Sequence, residues 1–129
     1  MRIISGNLKG KSISFIKSLT TRPLKDSVKE NIFNILAHSR LIKVNLHKSK
    51  VLDLYSGVGS FGLECISRGA NMIFFVEKDS ETAKILNKNI VTLGVESKAK
   101  VEIEEIKKFL DKKNNEKFDF FFFRPTFFK

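Results

Sequence analysis

Short apolar runs alternate with stretches of helical hydrophobic spacing along the second half of the chain. Val51 opens a run that leads into a glycine-rich turn, Met72 to Val76 is continuously apolar, and Phe118 to Phe123 is rich in phenylalanine. A continuous apolar run bounded by turn residues is typical of a parallel strand buried on both faces. The pattern predicts strands over 51–55, 72–76, 100–104 and 118–123, and helices over 61–68, 80–93 and 106–110. Such alternation predicts an α/β fold with a doubly wound, mostly parallel sheet.

The first fifty residues carry a different pattern. Two short alternating runs, 2–5 and 11–15, flank a glycine-bearing loop and predict a small N-terminal β-hairpin with Lys9 and Lys11 at its tip. From Asp26 to Ala37 the apolar spacing predicts a helix that packs on the sheet through Val28, Ile32, Ile35 and Leu36.

Residues 38–50 are polar and aperiodic, as in a linker, and His38 and His47 at its edges have no partners at metal-ligand spacing. We therefore expect an extension over 1–50 and a partial Rossmann-like core over 51–129, which together form one structural domain. We expect no metal site.

The glycines of the first turn, Gly57, Gly59 and Gly62, have the spacing G-x-G-x-x-G between a strand and a helix. Glycine lets a ligand lie against bare backbone, and the N–H groups at the helix start face that ligand. This spacing matches the fingerprint of dinucleotide-binding domains. Glu77 follows about 20 residues later, where that fingerprint has an acid that binds the ribose. Asp53 inside the strand favours S-adenosylmethionine instead, because a carboxylate there can face the cationic amino group of a methionine moiety. The fifty residues before this strand also favour S-adenosylmethionine, because dinucleotide-binding domains commonly begin with the strand that precedes the glycines.

The position of these residues predicts one ligand site, because ligands of open α/β sheets lie beyond the carboxyl ends of the strands. Gly57 and Gly59 would allow close approach of the cofactor, and Gly62 would let the helix pack near the strand. Glu77 would accept hydrogen bonds from both ribose hydroxyls.

The segments VLDLYSGVGSFGLECISRGA and FFVEKD resemble motifs I and II of the bacterial RsmD family, which methylates the exocyclic N2 of a guanine in 16S ribosomal RNA. MRIISGNLKGK and TRPLKDSVKENIFNIL extend the resemblance to nearly the whole chain. It implies a Rossmann-like methyltransferase fold, S-adenosyl-L-methionine as cofactor, and ribosomal RNA or the small ribosomal subunit as partner. By resemblance Glu105 stands where the family carries an aspartate that accepts from the adenine amino group. Alternatively, Glu105 belongs with Glu102 and Glu104 to a solvated acidic strand end.

Positive charge is concentrated in the extension. The net charge is +10, and residues 1–50 hold eleven Lys and Arg against two acids, whereas residues 51–129 hold thirteen against twelve. A segregated basic segment favours contact with phosphates over a merely solvated basic surface. The candidate RNA-binding residues are Arg2, Lys9, Lys11, Arg22 and Lys25. In the family the Arg22-Pro23 segment lies beside the active-site mouth, although Arg22 could equally be an exposed arginine in a connector.

The family's catalytic motif D-P-P-[FY] after strand four supplies a carboxylate and a carbonyl that accept the amine's hydrogens, with an aromatic ring that stacks on the base. Here the motif positions read Arg124, Pro125, Thr126 and Phe127. Arginine has only donors and a permanent charge, so it cannot perform the aspartate's role. Leu-Asp-Pro-Pro-Phe can be encoded by TTA GAC CCA CCT TTT. If a run of T precedes these bases and the reading frame starts one base earlier, the codons become TTT AGA CCC ACC TTT. They then encode Phe-Arg-Pro-Thr-Phe, the sequence of residues 123–127. We therefore expect a frameshifted, C-terminally truncated copy that binds cofactor but transfers little or no methyl.

The sequence is also compatible with other substrates and partners. A related motif serves methyltransferases of other RNAs, DNA or protein glutamine, and an inactive remnant could bind RNA or cofactor alone. Cys65 is the single cysteine, and no stretch has signal-peptide or membrane-span character, so we expect a cytoplasmic protein without membrane contact. We expect a monomer whose phenylalanine-rich edge strand is prone to association.

Overall fold

The computed structural model describes residues 1–15, 26–38, 46–54, 56–112 and 116–123. Its elements are α1 Asp26–His38, β1 Lys50–Asp53, α2 Ser60–Ser67, β2 Met72–Val76, α3 Ser80–Thr92, β3 Ala99–Glu102, α4 Ile106–Asp111 and β4 Phe120–Phe122, with a 3-10 turn over Glu96–Lys98. The predicted order of strands and helices is confirmed, although β1, β3 and β4 are shorter than predicted. Within these ranges no helix has the length and apolar content that a membrane crossing requires.

The four strands form one sheet in the order β3-β2-β1-β4. Every pairing is parallel, and β1 lies between β2 and β4. The chain moves outward from β1 to β3 and then returns to the other side of β1, so the strand order reverses between β1 and β4. The α/β prediction, a doubly wound parallel sheet, is confirmed.

Apolar side chains cover both faces of the sheet. On one face Val51, Ile73 and Phe75 pack in a core with residues of the hairpin, α1, α2 and α3. On the other face Leu52 and Phe74 belong to a smaller cluster that includes Phe109 of α4. Alternate residues of β1 and β2 therefore pack in opposite layers, which explains why β2 is a continuous apolar run.

The predicted N-terminal hairpin is present and packs on α2. Arg2 and Ser12 form an antiparallel bridge, and the Ile3 N–H donates to the Lys11 carbonyl over 2.9 Å. Gly6 has φ +87°, and a Cβ there would lie 2.0 Å from the Ser67 carbonyl oxygen. Only glycine permits this approach of the hairpin to the end of α2.

The predicted buried face of α1 is confirmed in part, since Ile32 and Leu36 pack against the core but Val28 and Ile35 do not. Val28 and Ile35 are 43% and 55% exposed, whereas Lys29 and Phe33 are buried. The Lys29 ammonium is buried because it has partners there: it donates to the Arg2 carbonyl over 2.9 Å and to Ser60 Oγ over 3.2 Å. Apolar spacing alone could not indicate a buried lysine, since such partners come from distant parts of the chain.

Glu64 of α2 is the acceptor at the centre of this buried polar cluster. Its carboxylate accepts the backbone N–H groups of Ile4 and Ser5 over 2.8 and 3.0 Å. It also accepts from Arg68 Nε over 2.9 Å and lies 3.3 Å from Lys29 Nζ. One buried carboxylate thus joins the hairpin, α1 and α2.

Candidate site at the carboxyl ends of the strands

The loops after β1 and β2 meet at Glu77. Its Oε1 accepts the Gly57 N–H and its Oε2 accepts the Asp79 N–H, both over 2.9 Å. Gly57 belongs to the turn after β1, so the carboxylate joins two loops that are twenty residues apart in sequence. A carboxylate offers about four lone-pair positions, so each oxygen can still accept one hydroxyl from a ligand.

The three glycines of the first turn have different surroundings. Gly57 has φ +53°, and apart from its chain neighbours no heavy atom of the described residues lies within 4 Å of the position that a Cβ would take. At Gly59, with φ +99°, a Cβ would lie 2.6 Å from Leu86 Cδ1, and at Gly62 it would lie 2.3 Å from the Phe75 ring. Within the described part of the chain Gly57 therefore borders open space, whereas Gly59 and Gly62 allow α3 and β2 to pack closely on the turn and on α2.

Asp53 ends β1 and is fully buried. Its backbone carbonyl accepts from Ser56 Oγ over 2.9 Å, which closes the start of the turn. Burial raises the pKa of the Cys65 thiol well above its usual value, and the negative charges of Asp53 and Glu64 raise it further. The side chain of Asp53 is 0% exposed, and its contact with a methionine amino group stays a prediction.

A cleft of about 580 Å³ lies between the ends of β2 and β3. Glu105 lines it together with Lys78, Asp79, Ile103, Glu104 and Lys108. Ile103 is 54% exposed and offers an apolar surface there. Glu104 accepts from Lys112 Nζ over 2.6 Å, and this hydrogen bond raises the pKa of Lys112. The cleft combines an apolar surface with carboxylates, a combination suited to a base with an exocyclic amine.

Asp79 fixes the start of α3 directly after Glu77. It is the N-cap residue, and its carboxylate accepts from the Thr82 N–H over 2.9 Å and from Thr82 Oγ1 over 2.5 Å. The hydrogen bond from the Thr82 hydroxyl is the main cause that lowers the pKa of Asp79, and the hydrogen bond from the Thr82 N–H lowers it further. This cap holds the backbone that presents its own N–H to Glu77.

Asn89 of α3 was not identified from the sequence, yet it contacts the glycine turn. It is 3% exposed, and its Nδ2 donates to the Val58 carbonyl and the Ser14 carbonyl, each over 2.9 Å. Its Oδ1 accepts the Ser14 N–H over 2.9 Å. The signal in the sequence was its position three residues after Leu86, on the face of α3 that packs inward.

The predicted basic and catalytic residues are only partly described. Arg2, Lys9 and Lys11 are exposed and belong to the same hairpin. The predicted residues Arg22, Lys25, Arg124, Pro125, Thr126 and Phe127 lie outside the described residues, as does Tyr55. In the ranges that the structure describes, no three His, Cys, Asp or Glu residues are grouped to hold a metal ion.

Comparison with known proteins adds independent findings. The model of a family described as "Conserved hypothetical protein 95" matches residues 1–129. The chain is 36% identical, over 98% of its length, to the Ribosomal RNA small subunit methyltransferase D of Haemophilus influenzae, and 34% identical, over 97%, to the protein of that name from Buchnera aphidicola subsp. Acyrthosiphon pisum. It spans 64% and 62% of the length of these two relatives.

Solved structures resemble this fold. That of yhhF from Escherichia coli has a TM-score of 0.74 and 32% identity, with 88% of this chain and 57% of that chain covered. The C-terminal domain of precorrin-6Y C5,15-methyltransferase from Rhodobacter capsulatus has a TM-score of 0.58 at 17% identity, with 71% of this chain and 46% of that domain covered. The second likeness concerns the fold alone.

Proposed function

The chain belongs to the family described as Conserved hypothetical protein 95, the RsmD family of the motif analysis, and we propose that it binds S-adenosylmethionine for methyl transfer to guanine N2 of 16S ribosomal RNA. Two relatives that carry the name Ribosomal RNA small subunit methyltransferase D support the substrate class. The single observation that carries the cofactor site is the carboxylate of Glu77, which holds the Gly57 turn while retaining acceptor positions.

The residues of the site fit this cofactor by their chemistry. Glu77 would accept from the ribose hydroxyls, as a carboxylate with two oxygens can do for adjacent donors. The open space at Gly57 would admit the cofactor against the backbone. Glu105 and the exposed Ile103 would hold the adenine, the first as acceptor for its amine and the second as an apolar surface. Glu102 and Glu104 both lie near Lys112, which favours Glu105 as the acid of the cleft.

The chemistry asks the protein mainly for positioning. The sulfonium of the cofactor supplies an already activated methyl group. The chain's own residues would hold the two reactants in line and exclude water, and such positioning can supply several kcal/mol of barrier reduction, roughly 7–11 in well-oriented systems.

The basic hairpin is the proposed RNA contact. Lys9 and Lys11 are exposed at the turn and Arg2 lies across from Ser12, so one small element presents three cations. Lysine and arginine attract phosphates without regard to sequence, which suits a substrate held mainly through its backbone. We include Arg22 and Lys25 in this surface on their sequence position.

A second candidate function is binding of cofactor and RNA without methyl transfer. The observation that favours it is Arg124, which stands at the motif position of the aspartate. A guanidinium cannot accept the hydrogens of the guanine amine and would repel a sulfonium.

An assay with methyl-labelled S-adenosylmethionine separates the two candidates. Undermethylated small ribosomal subunits serve as substrate, and equilibrium dialysis measures cofactor binding in the same preparation. Label transferred to guanine N2 supports the methyltransferase. Cofactor binding without transfer supports the second candidate, and preferential binding of NAD would refute both.

A further inference from the structure

The side chain of Asn89 connects two regions that the proposed function assigns to different ligands. One is the glycine turn, through the Val58 carbonyl, and the other is the strand end of the basic hairpin, through both backbone groups of Ser14. Val58 lies between the first two glycines of the turn, and Ser14 lies three residues after Lys11.

Three hydrogen bonds make this connection. All three hydrogen bonds measure 2.9 Å, and they use both N–H groups and one lone pair of a side chain that is 3% exposed. Two of them pair the amide with the backbone of Ser14 as a neighbouring strand would. Because the same Nδ2 also holds Val58, a displacement of the turn must either break a buried hydrogen bond or move Asn89 relative to Ser14.

α3 secures the turn at a second point on the same face. Leu86 fills the space beside Gly59, where a Cβ would lie 2.6 Å from its Cδ1. Leu86 and Asn89 thus both hold α3 against the turn, and Asn89 is hydrogen-bonded to the hairpin as well. Leu86 packs against the turn, whereas Asn89 is hydrogen-bonded both to the turn and to the hairpin.

We propose that Asn89 is a positioning residue that couples ligand occupancy of the glycine turn to the conformation of the basic hairpin. This inference rests on the proposed function, since it takes the turn as the cofactor site and the hairpin as the RNA contact. A bound cofactor that orders Val58 would order Ser14 as well, so cofactor and RNA would raise each other's affinity by the same factor.

Amide hydrogen exchange of the full chain tests this coupling, with S-adenosylhomocysteine as the probe. Saturating probe should slow exchange of the Ser14 N–H by at least about fivefold, the lower end of common coupling strengths. The variant Asn89→Asp keeps an acceptor for the Ser14 N–H but has no donor for Val58, so the response should fall below about twofold. Asn87→Ala, an exposed position of the same helix, is the matched control and should respond as the wild type does.

The outcomes separate this inference from the function on which it rests. If the probe binds and Ser14 exchange does not change in the wild type, the coupling is refuted and the cofactor site stands. An undiminished response in folded Asn89→Asp refutes the role of Asn89. If calorimetry detects no binding of the probe, both the cofactor site and the coupling fail. Should Asn89→Asp not fold, Asn89→Ala takes its place: it removes the Nδ2 donor without adding a charge, and an undiminished response in that variant refutes the role of Asn89.

Discussion

Replacement of Glu64 by glutamine should destabilise the fold more than any other isosteric change in the described residues. The carboxylate accepts from the N–H groups of Ile4 and Ser5 and from Arg68, and it is the counter-ion of the buried Lys29. Glutamine fills the same volume, but its amide replaces one acceptor oxygen with an NH2 donor that faces other donors, and it leaves Lys29 without its charge partner. Loss of one member of a buried pair costs about 3–5 kcal/mol.

That magnitude is a large part of the total, because a domain of this size has an unfolding free energy of roughly 5–15 kcal/mol. Equilibrium unfolding in urea, followed by circular dichroism, measures the loss. Glu96→Gln on the exposed 3-10 turn is the matched control and should change stability by less than about 0.5 kcal/mol.

A double-mutant cycle distinguishes the ion pair from simple damage at one site. Lys29→Met removes the buried cation, so in this background Glu64→Gln should cost less than it does alone, by roughly 0.5–3 kcal/mol. The reasoning is refuted if Glu64→Gln costs less than about 1 kcal/mol, or if the two losses add without interaction.

Three further predictions concern charge, catalysis and thiol chemistry. Removal of charge at Lys9, Lys11 and Arg22 should flatten the salt dependence of RNA affinity, with a log–log slope lower by roughly 0.7–0.9 for each lost phosphate contact; an unaltered slope in the triple variant means that these residues are only solvated. Arg124→Asp should raise the rate of methyl transfer, because a carboxylate can accept the hydrogens of the guanine amine, and a variant no more active than the wild type would contradict the role given to this position. The raised pKa of buried Cys65 keeps its thiol protonated, so thiol reagents at pH 8 should label it only on unfolding, and fast native labelling would contradict its burial. The raised pKa also contributes to the free energy of unfolding below the unfolded thiol's pKa of about 8.5, and this contribution should be lost as pH rises toward the pKa of the folded thiol. Above the unfolded pKa the free energy of unfolding should therefore fall more steeply with pH in the wild type than in Cys65→Ala.

The sequence was most informative where hydrophobic burial decides the structure. β2 was predicted at Met72–Val76 and found there, because a strand buried on both faces admits only apolar residues at nearly every position. α3 was predicted from its apolar stripe, and its start at Asp79 follows from ordinary capping chemistry.

The buried residues that the sequence did not indicate are polar groups whose partners are distant in sequence. Lys29, Glu64 and Asn89 would be placed at the surface by residue type, and each is buried because tertiary contacts satisfy its polar atoms. Glu77 was predicted to be a ligand-binding acid, which stays a prediction, but its hydrogen bond from the Gly57 N–H depends on how two loops meet and was not predicted. The weak signal was position: Lys29 lies one turn before Phe33, and Glu64 follows Leu63 in a largely apolar helix.

Calorimetric titration of the chain with S-adenosylhomocysteine and with NAD tests the central claim most directly. The account predicts tighter binding of S-adenosylhomocysteine, and a loss of roughly 1.5–3 kcal/mol in Glu77→Ala, because hydrogen bonds to a charged acceptor disappear. Glu81→Ala, an exposed carboxylate on the first turn of α3, should bind as the wild type does. Tighter binding of NAD, or the same affinity in Glu77→Ala as in the wild type, would contradict the account.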